Sequence, residues 1–219
     1  MTIPGRFYER VKDRFPNVSA QVQFDIPIAP TGGPTGPMAR ERAQLRSPDG
    51  LRLVQVGRDI LVINRLRPYS EFAEWRPDFV EMLALYQELA QPSSFARVGV
   101  RYLNKIVVPE PEVELSNYFR LYPEVPEGLG SPHGAFLLRV ETTPPAYPDH
   151  EFVATFGTSE TDDGQPALLL DLYDMAKAPD GALDRIVDLV DEAHVNVAAA
   201  FEQSITDEAR RLFGEGKVT

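Results

Sequence analysis

Apolar residues follow two periods along this chain, and the two alternate in a repeated order. Phe7, Val11 and Phe15 recur at helical spacing, which predicts a short helix that ends at Pro16. Apolar residues then alternate with polar ones over residues 22–28, which predicts a half-buried strand. Residues 40–68 form short apolar runs between turn residues, which predicts a meander of strands.

A helix follows the meander, and a second set of elements then begins. Apolar residues at helical spacing over 79–89 predict this helix, with Ser70 as its N-cap and Pro77 in its first turn. Alternation over residues 98–108 predicts a long strand, and a short helix is expected around 115–122. Three more strands are predicted in the segments AFLLRVETT, EFVATFGTS and ALLLDLYDM. The final helix is the clearest element, because the apolar residues from Leu183 to Ile205 follow a 3.6-residue period.

Both halves therefore end in a helix that can lie across its own strands, which indicates the α+β class. We predict a first unit over residues 1–92 and a second over 93–219, as two pseudo-repeated units of antiparallel meander plus closing helix within one compact domain. Joined edge to edge, their strands would make one curved sheet with helices on one face. This saddle resembles the TATA-binding-protein fold in architecture only.

Composition and charge narrow the function classes. The 219 residues include no cysteine, which excludes disulfides, thiolate catalysis and cysteine-ligated metals. No apolar run approaches the roughly 18 residues that span a bilayer, so we expect a cytoplasmic protein without a membrane partner. The net charge of −11 disfavours non-specific binding of nucleic acid. It is unevenly divided, because Met1–Pro109 has 15 Lys and Arg against 11 Asp and Glu, whereas Glu110–Thr219 has 7 against 22.

Few residues are candidates for catalysis. Asp171 and Asp174 could hold Mg²⁺ beside a ligand's phosphates, but residues three apart on a strand face opposite sides unless the strand ends between them. His194 is a possible general base, although its apolar neighbours favour a packed histidine with one hydrogen bond. The sequence contains no phosphate-loop, dinucleotide, nucleophile-elbow or zinc-protease motif. We therefore predict no metal and no cofactor.

Ligand binding has a different set of candidates. Arg65 and Arg67 from the meander, with Arg101 and Lys105 from the long strand, could line a groove that holds an anion. Asn104 interrupts the apolar face of its strand and therefore needs a partner, either within the fold or on a ligand.

Several segments together resemble a sporadically distributed family of conserved hypothetical bacterial and archaeal proteins. The matching pieces are LVQVGRDILVINRLRPY, then Trp75 with RPDF, then RVGVRYLNKI, and finally EAHVNVAAAFEQSIT. The resemblance implies no assigned activity, and the family's scattered occurrence implies a role in a defence or toxin–antitoxin type locus. Family members begin with an extended apolar segment ahead of the first helix, so we expect the first unit to lack one strand. The resulting open sheet edge would favour a partner strand.

The sequence supports more than one function. We favour a non-catalytic interaction protein that binds a protein partner or a second copy of itself, most simply as a homodimer, because the halves differ in charge. The alternatives are a small-molecule or nucleotide-processing enzyme with an Arg-lined groove, and nucleic-acid binding by the concave sheet.

Overall fold

In the computed structural model the chain divides into two compact units, Met1–Pro92 and Ser93–Thr219. The structure describes residues 2–25, 38–68, 71–109, 113–129, 134–161, 163–178 and 182–213. The expected strand positions Ile26 and Ile28, the expected N-cap Ser70 and the sequence beyond Phe213 lie outside these residues.

The first unit is a four-stranded antiparallel meander with two helices. Its elements are α1 (Ile3–Val11), β1 (Asn17–Asp25), β2 (Met38–Arg46), β3 (Arg52–Val56), β4 (Leu61–Arg65) and α2 (Phe72–Ala90). The strands pair in the order β1-β2-β3-β4. Helix α1 packs on β2 and β3, and α2 packs on β4 and α1.

The core of the first unit forms where the apolar stripes of its helices meet the sheet. Phe7 and Val11 are buried from α1, and Leu45, Val54 and Val56 are buried from the strands. Helix α2 contributes buried side chains at the expected spacing, namely Met82, Leu83, Tyr86 and Leu89. Pro77 lies inside α2 and not in its first turn, because the helix begins at Phe72.

The second unit has a different strand order. Its elements are β5 (Phe95–Ile106), α3 (Leu115–Tyr118), β6 (Leu137–Thr142), β7 (His150–Glu160), β8 (Pro166–Ala178), α4 (Leu183–Ser204) and α5 (Asp207–Leu212). The last three strands form a meander, and β5 joins it beside β8, so the order is β5-β8-β7-β6. Helix α4 packs across β5 and β8.

The fold class is α+β, as predicted, but the expected single curved sheet is wrong. The described strands form two antiparallel sheets of four, one in each unit. Every hydrogen-bonded pair of described strands lies within one unit, and β5 pairs with β8 along most of its length. The predicted saddle required one continuous sheet.

The unit boundary also changes the division of charge. Residues 1–92 carry 12 Lys and Arg against 11 Asp and Glu, whereas residues 93–219 carry 10 against 22. The first unit is therefore nearly neutral, because the Arg97, Arg101 and Lys105 cations belong to β5 of the second unit.

None of the helices in the described part of the chain is long and apolar enough to cross a membrane.

Candidate functional site in the second unit

The sheet of the second unit has two faces that differ in their surroundings. Even-numbered side chains of β6, β7, β8 and of β5 from Val98 onward point toward α4. Several of them, including Ile106, Phe156 and Leu172, join a core with residues of α3, α4 and α5. We call this side the covered face. Odd-numbered side chains point the other way, where none of the unit's described helices packs, and we call this side the open face.

The covered face contains a buried polar network that ties two strands to α4. Asp174 of β8 is fully buried, with Oδ1 2.5 Å from His150 Nδ1 and Oδ2 accepting a hydrogen bond from Asn196 Nδ2 at 2.9 Å. His150 Nε2 lies 3.2 Å from Glu192 Oε2, and Arg185 donates to the other oxygen of Glu192 at 3.0 Å. These hydrogen bonds connect the buried Asp174 to Arg185 on the exposed surface of α4.

Burial raises the pKa of the Asp174 carboxyl, and its bonds to His150 and Asn196 oppose that shift. A carboxylate fixed between two partners and closed off from solvent cannot reach a substrate. The network therefore holds β7, β8 and α4 together, and its satisfied polar groups specify how they pack.

His194, a candidate general base, also faces this interior. Its Nδ1 lies 2.7 Å from the hydroxyl of Tyr102 on β5. Burial lowers the pKa of His194 and raises the pKa of Tyr102 to about 12, so both groups favour their neutral forms. Two neutral groups that bind each other fit a structural role.

Asn104 lies on the covered face as well. Its side-chain nitrogen donates to the backbone carbonyl of Leu170 at 3.1 Å. The amide that interrupts the apolar face of β5 thus has a partner within the fold, on the neighbouring strand.

The open face carries the other candidate carboxylate. Asp171 accepts two hydrogen bonds from the guanidinium of Arg101, at 2.8 Å from Nε and 2.6 Å from Nη2. Asp171 retains 13% of its side-chain exposure, whereas Arg101 retains 54%. Because both carboxylate oxygens are engaged by the bidentate arginine, the open face presents a fixed ion pair with its cation outermost.

Cross-strand registers place the open-face residues in rows. One row runs Arg101, Tyr173, Val153 and Glu141 across β5, β8, β7 and β6. A second row runs Lys105, Leu169, Gly157 and Leu137. Leu103 and Leu137 are 47% and 75% exposed, so the face combines charged ends with apolar positions that contact water.

The predicted site residues do not assemble into one site within the second unit. Asp171 and Asp174 do not converge, because β8 continues to Ala178 and keeps them on opposite faces. Asn104 and His194 lie on the covered face, whereas Arg101 and Lys105 lie on the open face. Among the described residues no group of three His, Asp or Glu side chains is placed to hold a metal ion.

The remaining candidates, Arg65 and Arg67, belong to the first unit. Arg65 ends β4 and lies 4.0 Å from the carboxylate of Asp78, and Arg67 follows the strand as an exposed residue.

The sequence analysis does not predict the role of His150, because the predicted strand EFVATFGTS begins one residue after it. The signal was available, because the alternation of Phe152, Ala154 and Phe156 extends backward by one step to His150. His133, the third histidine, lies outside the described residues.

No protein-family model, curated protein or solved structure matches this chain, so the family resemblance stays a prediction.

Proposed function

We propose that the protein is a non-catalytic interaction protein that associates with a second copy of itself through the open face. The observation that carries this proposal is the row Arg101, Tyr173, Val153 and Glu141, which has a cation at one end and an anion at the other. Between them lie the partly exposed ring of Tyr173 and the side chain of Val153, which is 8% exposed.

Such a row is complementary to itself. A two-fold axis that runs parallel to the strands, midway between two facing sheets, reverses each row in the partner copy. Arg101 of one copy then lies opposite Glu141 of the other, and Tyr173 lies opposite Val153. In the second row, Lys105 lies opposite the partner's Leu137, and Leu169 lies opposite the partner's Gly157. Facing sheets pack about 10 Å apart, which side chains of this size fill.

The residue types on the face support the same proposal. Tyr, Met and Arg are enriched at protein interfaces, and the open face presents Tyr173, Met175 and Arg101. The bidentate bond to Asp171 already fixes Arg101, so association costs less side-chain entropy there.

Light scattering during size-exclusion chromatography tests the proposal on the full chain. We expect a dimer at low salt that weakens at high salt, because Arg101 and Glu141 attract each other at the exposed edges of the interface. Leu137→Lys and Glu141→Arg should each produce monomers, since the first repels the partner's Lys105 and the second repels the partner's Arg101.

The matched control is Val195→Lys, which adds the same charge at an apolar residue of α4 that is 54% exposed, on the other side of the sheet. It should leave the dimer intact. A wild-type monomer at every salt concentration would contradict the proposal, as would a Leu137→Lys variant that remains dimeric.

Two finer predictions belong to the same proposal. A role as partner component of a bacterial defence or toxin–antitoxin type locus suits a protein that acts by binding. A pseudo-repeat is supported by one common feature, since each unit has a four-stranded antiparallel sheet whose last strand leads into a long helix.

A further inference from the structure

The first unit contains a pair of arginines that is not part of the open face. Arg52 of β3 and Arg65 of β4 lie directly opposite each other, on the same side of the sheet as the buried Val54. Asp78 of α2 lies near both, with Oδ2 3.8 Å from Arg52 Nη1 and 4.0 Å from Arg65 Nη2.

These two contacts are too long for hydrogen bonds, so most donors of the pair remain unused. Arg65 Nε is buried and has no hydrogen-bond partner. Arg14, in contrast, donates to Asp78 Oδ1 at 2.8 Å and to Glu81 at 2.7 Å. Arg14 therefore has hydrogen-bond acceptors for its guanidinium, whereas Arg52 and Arg65 have donors without acceptors. Burying such a donor without an acceptor lowers the stability of the fold.

Charge and shape indicate which acceptor fits. Arg14, Arg52 and Arg65 face Asp78 and Glu81. The hydrogen bond from Ser47 lowers the pKa of Asp49, which lies close enough for Arg52 and Arg65 to lower it further. The charges of the cluster therefore balance, and a monoanion disturbs that balance less than a dianion does. The guanidinium geometry matches the two oxygens of a carboxylate. A shallow depression of about 10 Å³ beside the pair is lined by the apolar side chains of Ile63, Trp75, Met82 and Phe15. A ligand's apolar group would therefore rest over these side chains and stay partly open to solvent. The ring of Phe15 lies 5.8 Å from the Arg52 guanidinium carbon.

We propose that Arg52 and Arg65 bind a small organic monocarboxylate, whose carboxylate accepts hydrogen bonds from both guanidinium groups and whose apolar group packs against Trp75 and Ile63. This proposal is independent of self-association, because it concerns the first unit and the interface residues belong to the second.

Side-chain NMR of the full chain provides the test, with Arg Nε–Hε resonances as the readout and benzoate as the probe. We expect saturable shifts of the Arg52 and Arg65 signals and quenching or shift of Trp75 fluorescence along the same binding curve. Acetate, which has no apolar group, should bind at least tenfold more weakly, and inorganic phosphate should not bind more tightly than benzoate.

Substitutions distinguish binding through the guanidinium donors of Arg65 from a general attraction of the anion to positive charge. Arg65→Lys keeps the charge but removes the fork of donors, so it should weaken benzoate binding at least tenfold while the circular dichroism spectrum stays unchanged. Arg10→Met is the matched control, because Arg10 is an exposed arginine of the same unit that already pairs with Glu88. The proposal fails if benzoate shifts neither arginine, if Arg10→Met weakens binding as much as Arg65→Lys, or if phosphate binds more tightly than benzoate.

Discussion

The two faces of the sheet in the second unit each carry an aspartate, and the two aspartates differ in their environment. Asp171 and Asp174 are three residues apart on β8, and each makes two side-chain hydrogen bonds. Asp174 is fully buried and bonds to a histidine and an amide, whereas Asp171 bonds to an arginine that is half exposed. The position of a carboxylate relative to the pleat, more than its spacing from another carboxylate, therefore determines its role.

The difference has an energetic consequence. A buried polar group that loses its partner keeps the full cost of its desolvation, whereas an exposed one regains water. Changes on the covered face should therefore affect stability, and changes on the open face should affect association.

The largest expected effect comes from removing the buried carboxylate. Asp174→Ala leaves His150 and Asn196 without their common partner inside the core, so we expect the free energy of unfolding to fall by about 3–5 kcal/mol. Urea denaturation followed by circular dichroism measures this loss. Asp171→Ala, on the same strand, is the control and should cost far less. Equal losses would show that the two faces do not differ as described.

A glycine on β5 gives the next largest effect. A Cβ at Gly99 would lie 2.3 Å from the backbone oxygen of Asp174, so Gly99→Ala forces β5 and β8 apart beside the buried network. We expect a loss of about 1–3 kcal/mol from this overpacking. Gly128→Ala is the control, since its Cβ would meet nothing within 4 Å. A Gly99→Ala protein as stable as the Gly128→Ala protein would mean that β5 and β8 approach less closely here.

Local patterns explain how much of this fold is predictable. The 3.6-residue period of α4 and the alternation along β7 and β8 are properties of neighbouring residues, and the corresponding elements are present. The pairing of β5 with β8 is not local, because some sixty residues separate the two strands in sequence. The alternation of β5 does not specify which strand it pairs with, so the sequence pattern alone does not distinguish a single curved sheet from the two sheets of the structure.

In the candidate site of the second unit, too, only the features that depend on neighbouring residues can be predicted from the sequence. The sequence predicts that Asn104 needs a partner, and that Asp171 and Asp174 face opposite sides of a continuous strand. It cannot predict that His150 and Asn196 meet at Asp174, because the three side chains come from β7, α4 and β8. Contacts that depend on how elements pack become visible only in the folded unit.

The contact between Tyr102 and His194 tests the covered face with a moderate effect. Tyr102→Phe removes the hydroxyl beside His194 Nδ1, so we expect a loss of about 0.5–1.5 kcal/mol in the free energy of unfolding. A loss within the error of urea denaturation would mean that this hydrogen bond does not stabilise the covered face.

The same histidine predicts a pH dependence. Burial lowers the pKa of His194 below its ordinary 6.5, with Asp191 opposing the shift, so below pH 6.5 the unfolded chain takes up a proton that the folded chain does not. The contribution of His194 to stability is therefore fully present above pH 6.5 and is lost as pH falls through the folded pKa. NMR titration of the His194 ring should give a midpoint below 6.5. A midpoint at or above 6.5 would contradict the burial of this ring.

The smallest expected change in stability belongs to the open face. Asp171→Asn keeps the shape of the side chain but removes its charge, so the bidentate ion pair with Arg101 becomes at most a single neutral hydrogen bond. Because water screens the exposed guanidinium, we expect a loss of only about 0.2–1 kcal/mol in the free energy of unfolding, and less at high salt. The dimer should weaken more than the fold does, since Arg101 is then free to leave the position opposite Glu141. If Asp171→Asn destabilises the fold as much as Asp174→Ala while association is unchanged, Asp171 is part of the structural framework and the open face is not the interface.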